Sequence, residues 1–389
     1  MTNVTRVLGA AIKSGALFSL LIGSAWAQQP NLYLDQQEID EIRQKIDAQE
    51  SPWIQAYDDL LDRAQDALSE SPDPVSGVYP NDKTPPRAHY QAITQDSNHA
   101  LVLALAYVFT DDSQYAQKSR TFINAWVNNL DPVSSQYQQG IELSITLPSF
   151  FFAADLIWNS GMLTASEKTA FQDWARDFGY ALINTESSCC GKTHNINNWE
   201  WAAELAAGVV SGEQYLIDRA IERFQSVTGS RYLPDGRFKS EGTRSFTYSF
   251  FALTALTTLA EGARHQGVDL YGYEVNGFSL QRAAFDHFNW YVDRDYPGSN
   301  PNYSEVTSTG YTGIAEIYHS LYGDAIYEEA IAEYGGRPTY DRWIFGPLTL
   351  THGLRNLPVS GDSGSPMPPP PPPPPGANES APPQDLVAD

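Results

Sequence analysis

Four stretches of this chain are rich in alanine, leucine and aromatic residues and nearly free of charge. They are residues 99–109, 150–158, 201–210 and 250–259. If each stretch is a helix with 3.6 residues per turn, its apolar side chains lie on several sides of that helix, which is typical of buried helices. Between them lie amphipathic stretches with one apolar face, at residues 114–127, 167–178 and 214–224. The pattern predicts an inner layer of helices enclosed by an outer layer.

A weak repeat supports this layered arrangement. In each instance an apolar helix ends in a polar turn, and an aromatic residue opens the next helix, at residues 112–115, 212–215 and 323–327. Helical hairpins that stack in this way close into an α/α toroid or a solenoid. We therefore predict an all-α fold, an (α/α) toroid or incomplete barrel of helical hairpins over residues 28–360, whose inner turns line a groove.

Both ends of the chain differ from this domain. Residues 1–27 have a basic start, a short apolar run and an Ala-Trp-Ala cleavage site, which predicts a signal peptide removed after Ala27. We expect the mature protein to be exported to the periplasm or secreted. Residues 361–389 contain a run of prolines and predict a stiff linker ending in a disordered tail.

Charge and composition narrow the class of partner. The chain has 47 acidic and 24 basic residues and a formal net charge of −23, which argues against nucleic acid and anionic membranes. We see no later run of about 20 apolar residues to span a bilayer, and thus expect no membrane partner. The two cysteines are adjacent, so no disulfide framework is expected, and the seven histidines lack metal-binding spacing. We expect a monomer without metal or cofactor.

The most informative motif lies at residues 235–248. Glu241, Arg244 and Tyr248 have spacings that place them on one face of a helix. An arginine can neutralise a carboxylate with paired hydrogen bonds, while a neighbouring tyrosine moves a proton. This combination suits β-elimination on a polymer of uronic acids.

A second cluster precedes it. His194, Asn197 and Asn198 stand at the start of a predicted helix, where free N–H groups favour an anion. Aromatic rings stack on sugar rings, and we expect such contacts in the groove from Trp199, Trp201 and Tyr303. On the first inner helix, His99 and Gln95 are further candidates for lining the groove.

Three segments resemble the alginate lyases of the all-helical toroid class, particularly the poly-mannuronate lyases. They are residues 197–203, with an Asn-Asn helix start before Trp-Ala-Ala, residues 241–253, with Glu-x-x-Arg and a later tyrosine, and residues 267–282. The resemblance covers about 100 residues in order and spacing. Related lyases carry an additional β-sandwich, for which we expect no room in this chain.

The resemblance implies a role for each candidate residue. Tyr248 would act as base and acid, while Asn198, His194 and Arg244 neutralise the C5 carboxylate. Two features depart from the family. Trp199 follows Asn-Asn where the family has a histidine, for which His194 is the nearest replacement, although aligning on Trp-Ala-Ala would place Asn198 at the histidine position. The interval from Arg244 to Tyr248 is also shorter. The residues implied to bind substrate are Asn197, Trp199, Trp201, Glu241, Tyr303, His99 and Gln95.

The implied activity is a polysaccharide lyase acting on a β-1,4-linked polyuronate, an anionic polysaccharide such as mannuronate-rich alginate. Glucuronan or another uronan is an alternative substrate. An inverting glycoside hydrolase is a different class found on the same fold, and would use two carboxylates from Glu200, Glu204, Glu241 and Asp235. A non-catalytic carbohydrate-binding protein would need only the aromatic residues.

Overall fold

The computed structural model describes residues 31–80, 87–132, 137–185, 191–341 and 343–353, and this part of the chain is predominantly helical. Its α-helices are α1 (Gln36–Asp47), α2 (Trp53–Ser69), α3 (Ala88–Thr110), α4 (Ser113–Asn129), α5 (Tyr137–Ile157), α6 (Ala165–Thr185), α7 (Asn195–Ser211), α8 (Gln214–Arg231), α9 (Phe246–His265), α10 (Leu280–Asp293), α11 (Tyr303–Thr309), α12 (Ala315–Tyr322), α13 (Ala325–Tyr334) and α14 (Leu348–His352). A 3₁₀ helix spans Tyr311–Ile314. Two short strands, β1 (Gly77–Val78) and β2 (Leu130–Asp131), pair in parallel.

The all-α prediction is confirmed, and no C-terminal sandwich is present among the described residues. The predicted signal peptide at residues 1–27, both cysteines and the tail at 361–389 lie outside them.

The helices form the two layers that the sequence predicts. The inner helices α3, α5, α7 and α9 pack side by side in chain order, while α4 packs on α3, and α6 and α8 pack on α7. One outer helix lies between each two successive inner helices in the chain, so the inner helices run parallel to one another. Their first residues therefore lie on the same side of the ring, which we call the N-terminal face. The fold is an α/α toroid.

The inner helices are buried around most of their circumference. In α7 every residue except Val209 is buried, although this helix contains three asparagines and two glutamates. Residues 138–157 of α5 form a helical segment that is long and apolar enough to cross a membrane, which the sequence analysis did not expect. The apolar part of this segment is entirely buried inside the protein. A core helix passes the same test of length and composition.

The three predicted turns connect helices as expected. Asp111 ends α3 in the left-handed conformation, and the Asp112 carboxylate caps α4 by accepting a hydrogen bond from the Gln114 N–H at 3.0 Å. Gly212 and Gly323 end α7 and α12 with φ near +73°. Glycine suits these positions because it has no Cβ to clash in the left-handed region.

The segment before α1 joins distant parts of the ring. The buried Asp155 carboxylate of α5 accepts hydrogen bonds from the Asn31 and Leu32 N–H groups, at 3.1 and 3.0 Å. The Tyr33 hydroxyl donates to the Phe345 carbonyl. Through residues 31–33, these bonds connect α5 with the last described segment.

A buried ion network fixes the other end of α9. The Arg264 guanidinium donates to Glu261 at 2.9 Å and to Glu38 of α1 at 2.6 Å, and the Tyr271 hydroxyl donates to Glu261 at 2.7 Å. Burial by itself disfavours the Glu261 carboxylate, but the charge of Arg264, followed by that of His352, holds its pKa at about 2. The network therefore stabilises the fold as long as Glu261 is ionised.

Replacing Glu261 by glutamine should destabilise the protein by an amount that depends on pH. Because the folded pKa of about 2 lies below the ordinary value of 4.5, the stabilisation is present above pH 4.5 and is lost as the pH falls through 2. It should be on the order of 3 kcal/mol at pH 7. Urea unfolding of both proteins from pH 7 to pH 3 measures it, and a constant difference would contradict this assignment.

Candidate active site

The two predicted clusters meet on the N-terminal face. His194 is the N-cap of α7, and Ser245 is the N-cap of α9. Glu241 and Arg244 lie in the turn before Ser245. The prediction that they share one helix face with Tyr248 is therefore wrong. Helix α9 begins later than expected because the Ser245 hydroxyl accepts the N–H of Tyr248 at 3.2 Å.

Glu241 is the anchor of this turn. Its carboxylate is fully buried, accepts the backbone N–H of Asn195 at 2.8 Å, and accepts the Arg244 guanidinium at 3.2 Å. A carboxylate at the first turn of α7 is also favoured by the helix dipole. Glu241 therefore holds Arg244 beside the start of α7.

Gly242 allows the turn to pack closely. A Cβ at this position would lie 2.7 Å from the Phe238 carbonyl oxygen and 2.9 Å from the Arg237 Cβ. The Tyr296 hydroxyl donates to the Gly242 carbonyl at 3.0 Å. The close packing at Gly242 and the bond from Tyr296 hold the turn in place, which limits the movement of Arg244.

Arg244 lies between a histidine and a tyrosine. The centre of its guanidinium is 3.6 Å from the centroid of the Tyr248 ring. Tyr248 is 40% exposed and is one of few large hydrophobic side chains among the described residues that are exposed. No described residue forms a hydrogen bond with its hydroxyl. The hydroxyl is therefore available to a ligand on the N-terminal face.

His194 completes the group. Its Nε2 is 3.2 Å from Nη1 of Arg244 and 3.8 Å from the Glu241 carboxylate, and its Nδ1 faces the N–H of Ile196 at 3.4 Å. Burial lowers the pKa of His194, the charge of Glu241 opposes this and that of Arg244 adds to it, which favours the neutral ring.

A neutral imidazole has one N–H and one lone pair, but both nitrogens of His194 face N–H donors. One of the two contacts is therefore between donors. If Nδ1 accepts from Ile196, the Nε2–H and the Arg244 N–H groups point into the same space. A carboxylate placed there would accept from both.

The surroundings of this site are locally positive. The Thr193 and Ser240 hydroxyls hydrogen bond at 2.7 Å, which brings the exposed Lys192 and Lys239 to neighbouring positions. Together with Arg244 and the N-termini of the inner helices, they oppose the net charge of −23. Lys192 and Lys239 were not singled out from the sequence, since contacts between residues 46 and 47 positions apart bring their loops together.

Asn197 and Asn198 are each 1% exposed. The side-chain amide of Asn197 donates to Glu200 at 3.2 Å, whereas the side-chain oxygen of Asn198 accepts from Arg231 at 2.5 Å. Asn198 is also one turn from His194, because its backbone N–H donates to the His194 carbonyl at 3.3 Å. The pair supports the site from within α7.

Trp199 and Trp201 do not line the groove, contrary to the sequence expectation. Both are fully buried, and Trp199 packs against Phe251 of α9 with ring centroids 5.2 Å apart. They fill the space between inner helices. Tyr303 is half-buried beside Phe246 at the start of α9, and its hydroxyl accepts the Tyr296 N–H at 2.8 Å.

His99 and Gln95 lie on another surface. The His99 ring packs edge-on against Phe122 of the outer helix α4, and burial lowers its pKa. Gln95 is exposed one turn earlier on the same face of α3. His99 is thus turned toward the outer layer, so the expectation that it lines the groove is wrong, while the role of Gln95 stays a prediction.

The acidic residues do not form a hydrolase pair. Glu200, Glu204 and Glu241 are at most 2% exposed. Glu204 is 2.5 Å from Arg219, and the exposed Asp235 pairs with Arg237 at 2.8 Å. An inverting hydrolase needs two carboxylates facing its substrate across a water.

One group of potential metal ligands occurs among the described residues, formed by Asp35, Glu38 and His265. Protein groups already occupy it: Asp35 caps α1, and Arg264 and His265 both contact Glu38 within 3.0 Å. A cation would compete with Arg264 for the same carboxylate. The group fits a structural role in the ion network better than a metal site.

Comparison with known proteins agrees with the toroid fold. The alginate lyase family model matches residues 41–295. A solved alginate lyase from Bacteroides ovatus is 18% identical, with a TM-score of 0.68, over 84% of this chain and 100% of that one.

Alginate lyase A1-III from Sphingomonas species A1 is 20% identical, with a TM-score of 0.63, over 81% of this chain and 94% of that one. A histidine-to-alanine variant of A1-III, solved in complex with a tetrasaccharide, is 21% identical, with a TM-score of 0.65, over 83% and 94%. No match was found among the curated proteins.

Replacing Trp199 by alanine tests the assignment of this residue to the core. Because the side chain is fully buried, we expect a loss of about 3–5 kcal/mol in unfolding free energy. The KM of the folded fraction should be unchanged. A raised KM with normal stability would mean that Trp199 contacts substrate after all, and Tyr303→Ala serves as the comparison at the half-buried position.

Proposed function

Since the chain belongs to the alginate lyase family and is therefore a polysaccharide lyase, we propose that it cleaves alginate by β-elimination at the site formed by His194, Arg244 and Tyr248. The observation that carries this proposal is the approach of His194 Nε2 to Arg244 Nη1, at 3.2 Å, beside the exposed Tyr248 whose ring packs on that arginine. A uronate offers a carboxylate to the first two and an acidic C5 proton to the third.

The carboxylate of the sugar would lie against Arg244 and His194. Removing the C5 proton moves negative charge onto this carboxylate, and hydrogen bonds to it that strengthen as the charge develops lower the barrier. Glu241 contributes by fixing Arg244 before substrate arrives, so little reorganisation is needed. Asn198, one turn into α7, supports the same end of the site.

Tyr248 would carry the proton. Its hydroxyl takes the proton from C5, the electron pair forms the C4–C5 double bond, and the C4–O4 bond breaks. The same hydroxyl can then protonate O4, which leaves as the new chain end. Tyr248 is an exposed side chain whose hydroxyl is bound by no described residue, which favours this residue as both base and acid.

This single proton carrier bears on the choice of sugar. In β-1,4-linked mannuronate the C5 hydrogen and O4 lie on the same face of the ring, so one group reaches both. In guluronate, the C5 epimer, they lie on opposite faces and need separate groups. We therefore propose mannuronate-rich alginate as the substrate. Glucuronan, which differs at C2 only, presents the same face and is the second candidate.

Binding of the polymer is proposed to use the positive N-terminal face. Lys192 and Lys239 lie next to the catalytic turn and would contact further carboxylates along the chain. The half-buried Tyr303, near the start of α9, offers a ring for a neighbouring sugar. We also propose that the predicted signal peptide exports the enzyme, and that it acts as a monomer without metal.

The substrate assignment predicts a rise in ultraviolet absorbance on poly-mannuronate, because elimination creates a conjugated double bond. The assay uses purified protein with chelator present, and poly-guluronate and glucuronan in parallel. We expect the fastest rise on poly-mannuronate, a measurable rate on glucuronan and the slowest on poly-guluronate. New reducing ends without absorbance on any of the three would contradict elimination.

Replacing Tyr248 by phenylalanine should lower kcat by at least about 10²-fold, since it removes the proton carrier. The ring that packs on Arg244 remains, so binding of a mannuronate oligosaccharide, measured by calorimetry, should be nearly unchanged. Tyr180→Phe is the matched control, because Tyr180 is similarly exposed, at 38%, but lies on α6. Near-normal turnover by the Tyr248→Phe protein would exclude this mechanism.

A further inference from the structure

Arg231, the last residue of α8, carries a buried charge without an acidic partner in the part of the chain that the structure describes. It is 1% exposed, and its guanidinium donates through Nη1 to the side-chain oxygen of Asn198 at 2.5 Å. Its Nε and Nη2 have no hydrogen-bond partner among the described residues. Burying a guanidinium in this way is costly, because the lost hydration is only partly replaced.

Several other buried or half-buried arginines of the described chain are matched to carboxylates. Such pairs, with nitrogen–oxygen distances of 2.5–2.9 Å, are Arg219–Glu204, Arg237–Asp235, Arg264–Glu261, Arg282–Asp286 and Arg337–Glu316. Acidic residues outnumber basic ones 47 to 24, so a partner for Arg231 is not lacking in the composition. The exception calls for a reason other than stability.

The position of Arg231 supplies that reason. Its backbone carbonyl accepts the N–H of Lys239, two residues before Glu241, at 2.7 Å. Its side chain binds Asn198, whose own N–H donates to the carbonyl of His194. Arg231 thus contacts both segments that carry the candidate active site, from the interior side.

The charge persists under working conditions. Burial lowers the pKa of Arg231 to about 10, which is still well above neutrality. In the protein interior an unneutralised charge acts over longer distances than at the surface, because screening by water is weak. A negative charge that forms next to His194 and Arg244 would be attracted by it.

We propose that Arg231 is a positioning residue of the uronate site, an inference that rests on the proposed function. It fixes the Asn198 carboxamide with its oxygen turned inward, so that the Nδ2 hydrogens, which have no partner among the described residues, remain for another acceptor. Its unpaired charge stabilises the carboxylate as charge develops during proton removal. The substrate supplies the counter-charge that the protein itself omits.

The test combines two replacements with a matched control. Arg231→Met removes the charge at similar volume, and Asn198→Asp gives Arg231 the carboxylate it lacks. Arg219→Met is the control, since Arg219 also joins α8 to α7 from a buried position but bonds to Glu204, farther along α7. For each protein, kcat and KM on poly-mannuronate are measured together with the midpoint of thermal unfolding.

We expect Arg231→Met to lower kcat at least about tenfold with little change in KM, and Arg231→Lys to recover part of the loss by retaining the charge. Asn198→Asp should raise the unfolding midpoint while lowering kcat by a similar factor. This gain in stability should disappear in the double variant with Arg231→Met. Arg219→Met should lower the midpoint and leave kcat of the folded enzyme nearly unchanged.

A kcat for Arg231→Met within about twofold of the wild type would overturn the inference, as would a loss matched by Arg219→Met. An unfolding midpoint that Asn198→Asp fails to raise would also overturn it, because Arg231 would then not be short of a counter-charge. Absence of elimination by the wild-type protein on all uronans is a separate result and would overturn the proposed function.

Discussion

The buried carboxylate of Glu241 holds the candidate active site together. It accepts the first N–H of α7 and the guanidinium of Arg244, and so joins two inner helices at their beginnings. Because it is fully buried, these bonds are little weakened by solvent. The positions of His194, which caps α7, and of Tyr248, whose ring packs on Arg244, follow from this contact.

The toroid makes that contact possible, since its inner helices run parallel and begin on one face. Their N-termini add to the charge of Arg244, Lys192 and Lys239. A protein with a net charge of −23 thereby presents cationic groups around the candidate active site. Arg231 adds a positive charge in the interior. It bonds to Asn198 in the first turn of α7 and has no carboxylate partner among the described residues.

The sequence predicted the architecture well because period and turns are local properties. The two layers and the turns near residues 112, 212 and 323 follow from apolar spacing and glycine. Trp199, Trp201 and His99 were misplaced because the direction of a side chain on a helix surrounded by neighbours depends on packing. The helical face expected for Glu241 and Arg244 failed since the Ser245 cap starts α9 after them. The Arg231–Asn198 contact joins residues 33 positions apart and has no signature in either segment.

The most direct test is a crystal structure of the Tyr248→Phe protein with bound tetramannuronate. The account predicts a sugar carboxylate within about 2.7–3.1 Å of Arg244 Nη1 and His194 Nε2, with the ring at position 248 facing the C5 hydrogen and O4 of that sugar. A tetrasaccharide bound on the N-terminal face with its carboxylates away from both residues would contradict it. The mechanism would then have to be assigned to other groups.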